Sequence, residues 1–190
     1  MARVDVAAGV LSPVAAGVPY NILVVGLDGP RLDAPEVANE RTDTMVVVHI
    51  DPGAGRLTLL SLPRDLVFAG DSSGEDRLNN VRPRSGAPGL IATIHDHLAI
   101  DIAHFVEVDF LGFTRLINAA GGISIQASTP LRDANTGMTL DTSCQKLDGE
   151  RTLVLVRARH IEYQSNGRWT WTPRVTSAGW IASEWCCHCS

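Results

Sequence analysis

An α/β layered domain is the fold class this sequence predicts, and three observations carry the expectation. Apolar runs of strand length alternate along the chain with helix-length segments that have one apolar face. Gly-, Pro-, Asn- and Asp-bearing turn chemistry separates them. The 190 residues, 45% hydrophobic and 19% charged, suffice for one domain with a substantial core.

The first strand is the continuous apolar run at residues 20–27, which ends at Asp28-Gly29-Pro30-Arg31 and so places Asp28 at a strand end. After a loop to residue 42 comes a predicted hairpin. Its strands, residues 45–50 and 57–62, are apolar enough to be covered on both faces, and Asp51-Pro52-Gly53-Ala54-Gly55 supplies the turn. Antiparallel pairing would bring Asp43 and the Arg64-Asp65 pair to one sheet edge. There, spacing alone leaves two readings open: a metal and phosphate site, or a salt bridge.

Residues 69–87 read as a long polar loop containing Leu78-Asn79-Asn80. A helix is predicted from about Pro88 to Leu98, with Leu90, Ile91, Ile94 and Leu98 on one face. His95 and His97 lie two apart on it and so cannot share a metal. Residues 104–110 alternate as a strand does. The next helix carries Phe113, Leu116, Ile117 and Ala120 and stops at Gly121-Gly122. Ile123-Ser124-Ile125 is a short strand, and a polar loop of about 15 residues follows it. Asp148 is placed to cap a last helix, which bears Leu153, Val154 and Val156 and delivers Arg157, Arg159 and His160 at its end. Cations there also suit the helix dipole, so a structural role for the arginines stays open.

Several function classes are disfavoured. A net charge of −5 argues against a general grip on nucleic acid. No run approaches the roughly 18–20 apolar residues of a membrane span, and residues 2–18 lack the design of a signal peptide, so no export or anchoring is expected of the chain as written. Of the four cysteines, Cys186, Cys187 and Cys189 crowd together near the chain end, apart from Cys144. Such crowding is poorly suited to a structural zinc site. No dinucleotide fingerprint, phosphate-binding P-loop or nucleophile elbow is found. What remains is a set of hard oxygen ligands, Asp28 and Asp43, with Arg31, Arg64, Arg157 and Arg159 at loop or helix ends. Carboxylates of this kind suit magnesium and guanidinium groups suit phosphate, so together they fit a pyrophosphate.

The ordered segments NILVVGLD, RTDTMVVVHIDP, SLPRDL, LNN, HFVEVDFLGF, NAAGGISI and LDGERTLVLVRARH resemble the LytR-CpsA-Psr family, also called cell envelope-related transcriptional attenuator domains. Seven segments in order are far more specific than any one of them. The resemblance covers residues 20–169. It implies a three-layer α/β/α sandwich around a central mixed β-sheet, preceded by an N-terminal segment, residues 1–19, and followed by a tail, residues 170–190. It also implies a phosphotransferase at the outer face of the bacterial plasma membrane. Such an enzyme moves an anionic glycopolymer from a polyprenyl-pyrophosphate carrier onto a peptidoglycan acceptor and meets the membrane surface through the lipid. Asp28 and Asp43 match the family's Mg2+ ligands. Arg31, Arg64, Arg157 and Arg159 match the pyrophosphate-binding arginines, Arg31 across a longer loop than in many members. Asp43, Arg64 and Asp65 are the candidate catalytic residues, with Asp43 or Asp65 as the general base.

Two departures from the family pattern shape further expectations. The usual N-terminal transmembrane helix is missing, which would make the chain soluble and cytoplasmic if its start is correct. In place of the family's Gly-Asp-x-Gly-Arg-x-x-Arg-Gln motif stands a tail without amphipathic period. Back-translating that tail into GC-rich codons and shifting the frame recovers Asp-Leu-Gly-Arg-Met-Asp-Arg-Glu-Arg. The expectation is therefore a frameshift from about residue 174, a disordered tail, a weakened fold and impaired transfer. A lipid-binding protein without catalysis, or a transcriptional regulator, are the alternative functions.

Overall fold

The computed structural model describes residues 6, 9–27, 42–68 and 76–171, apart from the side chains of residues 43 and 76. The chain divides into two compact units, Met1–Phe110 and Leu111–Ser190.

In the first unit, β1 (Tyr20–Leu27), β2 (Thr42–Asp51), β3 (Arg56–Leu62) and β6 (His104–Val108) form one sheet in the order β3-β2-β1-β6. β1 pairs antiparallel with β2, β2 antiparallel with β3, and β1 parallel with β6, so the central sheet is mixed as expected. Side chains alternate across a strand. Leu23 and Val25 therefore share a face with Met45, Val47 and Leu62, and all five are buried. Helix α1 (Leu78–Leu98) supplies Leu78, Val81, Leu90, Ile91 and Ile94 to the same core. Each such side chain contributes about 1.5–3 kcal/mol relative to exposure. A charge at Ile94, which is fully buried, would be expected to break the core.

Two expectations are corrected here. The hairpin is present, but β3 is an edge strand exposing Leu57, Leu59 and Leu60, and along it only Leu62 is buried. An apolar run alone does not say what covers it. The helix begins at Leu78 rather than Pro88, because Leu78 and Val81 are core residues of an earlier segment. That segment meets the second through a kink at Gly86 (φ 67°, ψ −171°), a backbone conformation that glycine permits. Pro83 and Pro88 both lie within the element, although by sequence Pro83 reads as loop and Pro88 as a helix's first turn. The short strands β4 (Val67–Phe68) and β5 (Asp76–Arg77) pair just before the helix.

The second unit contains most of α2 (Phe110–Ala119), which stops as predicted. Gly121 and Gly122 have φ of 83° and 89°, and the N–H of Gly122 donates to the carbonyl of Ile117 at 2.9 Å. β7 (Ile123–Ile125) pairs with β10 (Gln145–Leu147). β8 (Leu131–Asp133) and β9 (Met138–Leu140) join β11 (Glu162–Ser165) and β12 (Arg168–Trp171) in a second sheet, ordered β12-β11-β8-β9. The stretch expected as a polar loop thus holds β8, β9 and β10, whose three-residue length is too short for an alternating pattern to register. Ile125, Leu131, Met138, Leu140, Leu147, Leu155 and Ile161 form this unit's core. α3 (Gly149–Arg157) crosses it.

Candidate phosphate-binding site

In the first unit, Met45 pairs with Leu62, so Asp43 and Arg64, each two residues beyond, lie at the same end of the hairpin. The β1–β2 register slips at that end. Gly26 pairs with Thr44 and Leu27 with Thr42, which leaves Asp43 as the extra residue of a bulge. Bulges re-aim a side chain at a strand end. A Cβ on Gly26 would stand 3.2 Å from the Cβ of Thr44, so the bulge needs a small residue there. Leu27, which precedes Asp28, is thereby paired with the residue preceding Asp43. Asp28, Arg31 and the side chain of Asp43 are outside the described residues.

Arg64 and Asp65 are half exposed and form an ion pair, Nε to Oδ2, at 3.5 Å. Asp65 also accepts from Arg77 Nη1 at 3.3 Å. The backbone of this turn is held by the start of α1. Asn79 N–H donates to the Arg64 carbonyl at 3.0 Å, and Leu78 N–H to the Leu66 carbonyl at 2.8 Å. First-turn N–H groups have no partner inside their own helix. Leu78 and Asn79 therefore spend theirs on the Leu66 and Arg64 carbonyls of this turn.

In the second unit, the Asp148 side chain caps α3 by accepting from Arg151 N–H at 2.8 Å, as predicted. Gly149 is required by a close approach: a Cβ there would lie 2.2 Å from the Thr114 carbonyl oxygen, and its N–H donates to Asn118 Oδ1 at 2.7 Å. Arg157 ends the helix and Arg159 follows two residues later, both exposed. The turn carrying Arg159 is anchored by Asp133, a residue that local sequence patterns do not single out. Asp133 is only 1% exposed, and its Oδ2 accepts the N–H groups of Arg159 and His160, each at 2.9 Å. Its Oδ1 accepts from Asn135 and Thr136 at 2.8 and 3.3 Å. Burial pushes its pKa up, but the donors from His160, Asn135, Arg159 and Thr136 outweigh that and hold it below the ordinary carboxylate value. The local half of this motif, Asp133 followed by Asn135 and Gly137, is legible as turn chemistry. Its reach to residues 159 and 160 is not.

Arg82 was also missed. It sits in the stretch expected as loop, yet its Nε and Nη2 donate to both oxygens of Glu107 at 2.6 and 3.1 Å, tying α1 to β6. Leu90, Ile91 and Ile94 of α1 are buried in the core, whereas Leu111 and Leu116 of α2 are more than half exposed.

The expected magnesium ligands fit the ion in kind, being hard oxygen donors of which one stands at a bulge. Among the described residues no cluster of three or more His, Cys, Asp or Glu could hold a metal. Nor is any described helix long and apolar enough to cross a membrane.

The fold is a mixed α/β one, and Arg64, Arg157 and Arg159 are exposed guanidinium groups of the kind that pair with phosphate oxygens. The model of the LytR_cpsA_psr family matches residues 4–169, and the chain belongs to that family. The chain is 32% identical over 143 residues to the polyisoprenyl-teichoic acid–peptidoglycan teichoic acid transferase TagU of Enterococcus faecalis, a match covering 75% of this chain and 46% of the relative. It is similar to the crystal structure of B. subtilis TagV, with 29% identity, TM-score 0.63 and coverage of 76% and 57% of the two chains. A LytR-Csp2A-Psr enzyme from Actinomyces oris gives 27% identity and TM-score 0.63 over 92% of this chain and 65% of that one. The chain thus spans less than half of TagU and under two thirds of both solved structures.

Proposed function

We propose that this chain is a phosphotransferase domain that moves an anionic cell-wall glycopolymer from a polyprenyl-pyrophosphate carrier to peptidoglycan. The observation that carries the proposal is the family match, which runs through both units and includes the Arg64, Arg157 and Arg159 positions. TagU and TagV relatives, named as teichoic acid transferases, support the same chemistry.

Phosphoryl transfer asks a protein mainly to position groups and neutralise charge. Arg64, Arg157 and Arg159, with Arg31, bind phosphate oxygens of the carrier. A sugar hydroxyl of peptidoglycan attacks the polymer-bearing phosphorus, a new P–O bond forms, and the P–O bond to the departing polyprenyl phosphate breaks. Asp43 or Asp65 takes the hydroxyl proton. Asp28 and Asp43 would hold Mg2+, which when bound would supply positive charge to the pyrophosphate. The substrate places the reaction at the outer face of the plasma membrane.

The test is transfer of labelled lipid-linked glycopolymer to peptidoglycan by the protein with magnesium present. The expected result is peptidoglycan-bound label, reduced at least about tenfold in Arg64→Ala and in Arg159→Ala. Tight lipid binding with no transferred label would sink the enzymatic proposal and leave a lipid-binding protein.

A further inference from the structure

The sheet β12-β11-β8-β9 has an unusual outer face. Its inner face carries Leu131, Met138, Leu140 and Tyr163 into or against the second unit's core. Antiparallel sheets with one face on a core normally turn polar residues outward. Here Glu162 pairs with Trp171, Gln164 with Trp169, and Arg132 with both Glu162 and Thr139. Directly paired residues share a face, so two tryptophans stand outward among Arg132, Glu162, Gln164 and Thr139. Trp171 is 53% exposed. The Arg132 guanidinium lies over the Trp169 ring, 4.3 Å from its centroid, and donates to Glu162 at 2.6 Å. The hairpin turn at Asn166-Gly167, both with positive φ, fixes this register.

We propose that this face is a carbohydrate platform that takes the uncharged glycan backbone of the acceptor. Indole rings offer a flat apolar surface to the C–H face of a pyranose, while Gln164, Glu162 and Thr139 offer donors and acceptors to its hydroxyl and acetamido groups. Charge decides between the two polymers of the proposed reaction. Arg132 is already paired with Glu162 and stacked on Trp169, so the face holds no cation in reserve for an anionic polymer. A neutral, hydroxyl-rich chain matches it. Trp171 is the ring left open to a sugar, whereas Trp169, two strand positions away, about 7 Å, is covered by Arg132 and borders the platform. The role as acceptor platform rests on the proposed transfer reaction; the sugar binding itself does not.

The experiment titrates chitotetraose, a neutral N-acetylglucosamine tetramer, into the full chain by calorimetry, with inorganic pyrophosphate as a second ligand. Chitotetraose is expected to bind, to weaken at least about tenfold in Trp171→Ala, and to recover in Trp171→Tyr, which keeps a stacking ring. Pyrophosphate affinity is expected to be unchanged in Trp171→Ala. Circular dichroism identifies any variant that has lost its fold, and in that case Gln164→Ala, which removes a polar group of the same face, is expected to weaken chitotetraose binding in its place. No chitotetraose binding by the wild type, or equal binding by the alanine variants, overturns the platform. Binding of chitotetraose by a protein that transfers nothing supports the platform and removes the transfer reaction alone.

Discussion

The two units solve one problem, an inward-facing charge, in different ways. In the first, Glu107 meets the guanidinium of Arg82, so the charges cancel pairwise between α1 and β6. In the second, Asp133 is met by four backbone N–H groups, two of them from the turn that carries Arg159. The ion pair is a staple between two elements. The Asp133 carboxylate is both staple and site support, so its loss should reach function as well as stability.

Breaking each staple separately sharpens that contrast. Glu107→Ala should have the largest effect on stability, about 3 kcal/mol, because it removes the carboxylate from a largely buried guanidinium. Replacing both partners, Arg82→Met with Glu107→Leu, should recover most of that loss. Chemical denaturation of the two variants is the check, and equal destabilisation would contradict a charge-pair origin.

Asp133→Asn should cost about 2–3 kcal/mol, since each oxygen accepts from two backbone donors and hydrogen bonds to a charged group are the stronger kind. It should also weaken pyrophosphate binding, because the Arg159 turn loses two of its backbone anchors. The pH dependence has a definite sign. The folded-state pKa of Asp133 is lowered, so its stabilisation is complete above the ordinary carboxylate value of about 4 and is lost as pH falls through the lower folded value. Asp133→Asn should therefore flatten the acid limb of the stability curve, and an unchanged limb would count against this account.

Smaller effects follow. Asp148→Ala removes one cap from α3 and should cost about 1 kcal/mol, measurable as a lower Tm. Asp65→Asn disrupts two half-exposed ion pairs and should change stability by less than about 1 kcal/mol. A larger loss would mean that Asp65 is part of the scaffold rather than available to the reaction.

Much of this was legible in the sequence because local chemistry dictates it. The apolar runs of β1 and β2, the Gly121-Gly122 stop and the Asp148 cap are each decided by a few neighbouring residues. What escaped depends on distant partners. The first half of α1 is hidden by Pro83, Gly86 and Pro88, and only its packing against the central sheet makes Leu78 and Val81 core. The exposure of β3 follows from its edge position, which no pattern within the strand encodes. Asp133 looks like an ordinary turn aspartate until residues 159 and 160 arrive beside it. Of the candidate site, Arg64, Asp65, Arg157 and Arg159 can be placed, and the bulge at Asp43 adds a reason for its position at the strand end that spacing could not supply.

The central claim of the proposed function is that Arg64 and Arg159 each serve the binding of a lipid pyrophosphate. Its most direct test is calorimetric titration of a short-chain polyprenyl pyrophosphate into wild type, Arg64→Ala and Arg159→Ala. The account predicts binding by the wild type and affinity at least about tenfold weaker in each variant. Unchanged affinity in both would contradict it.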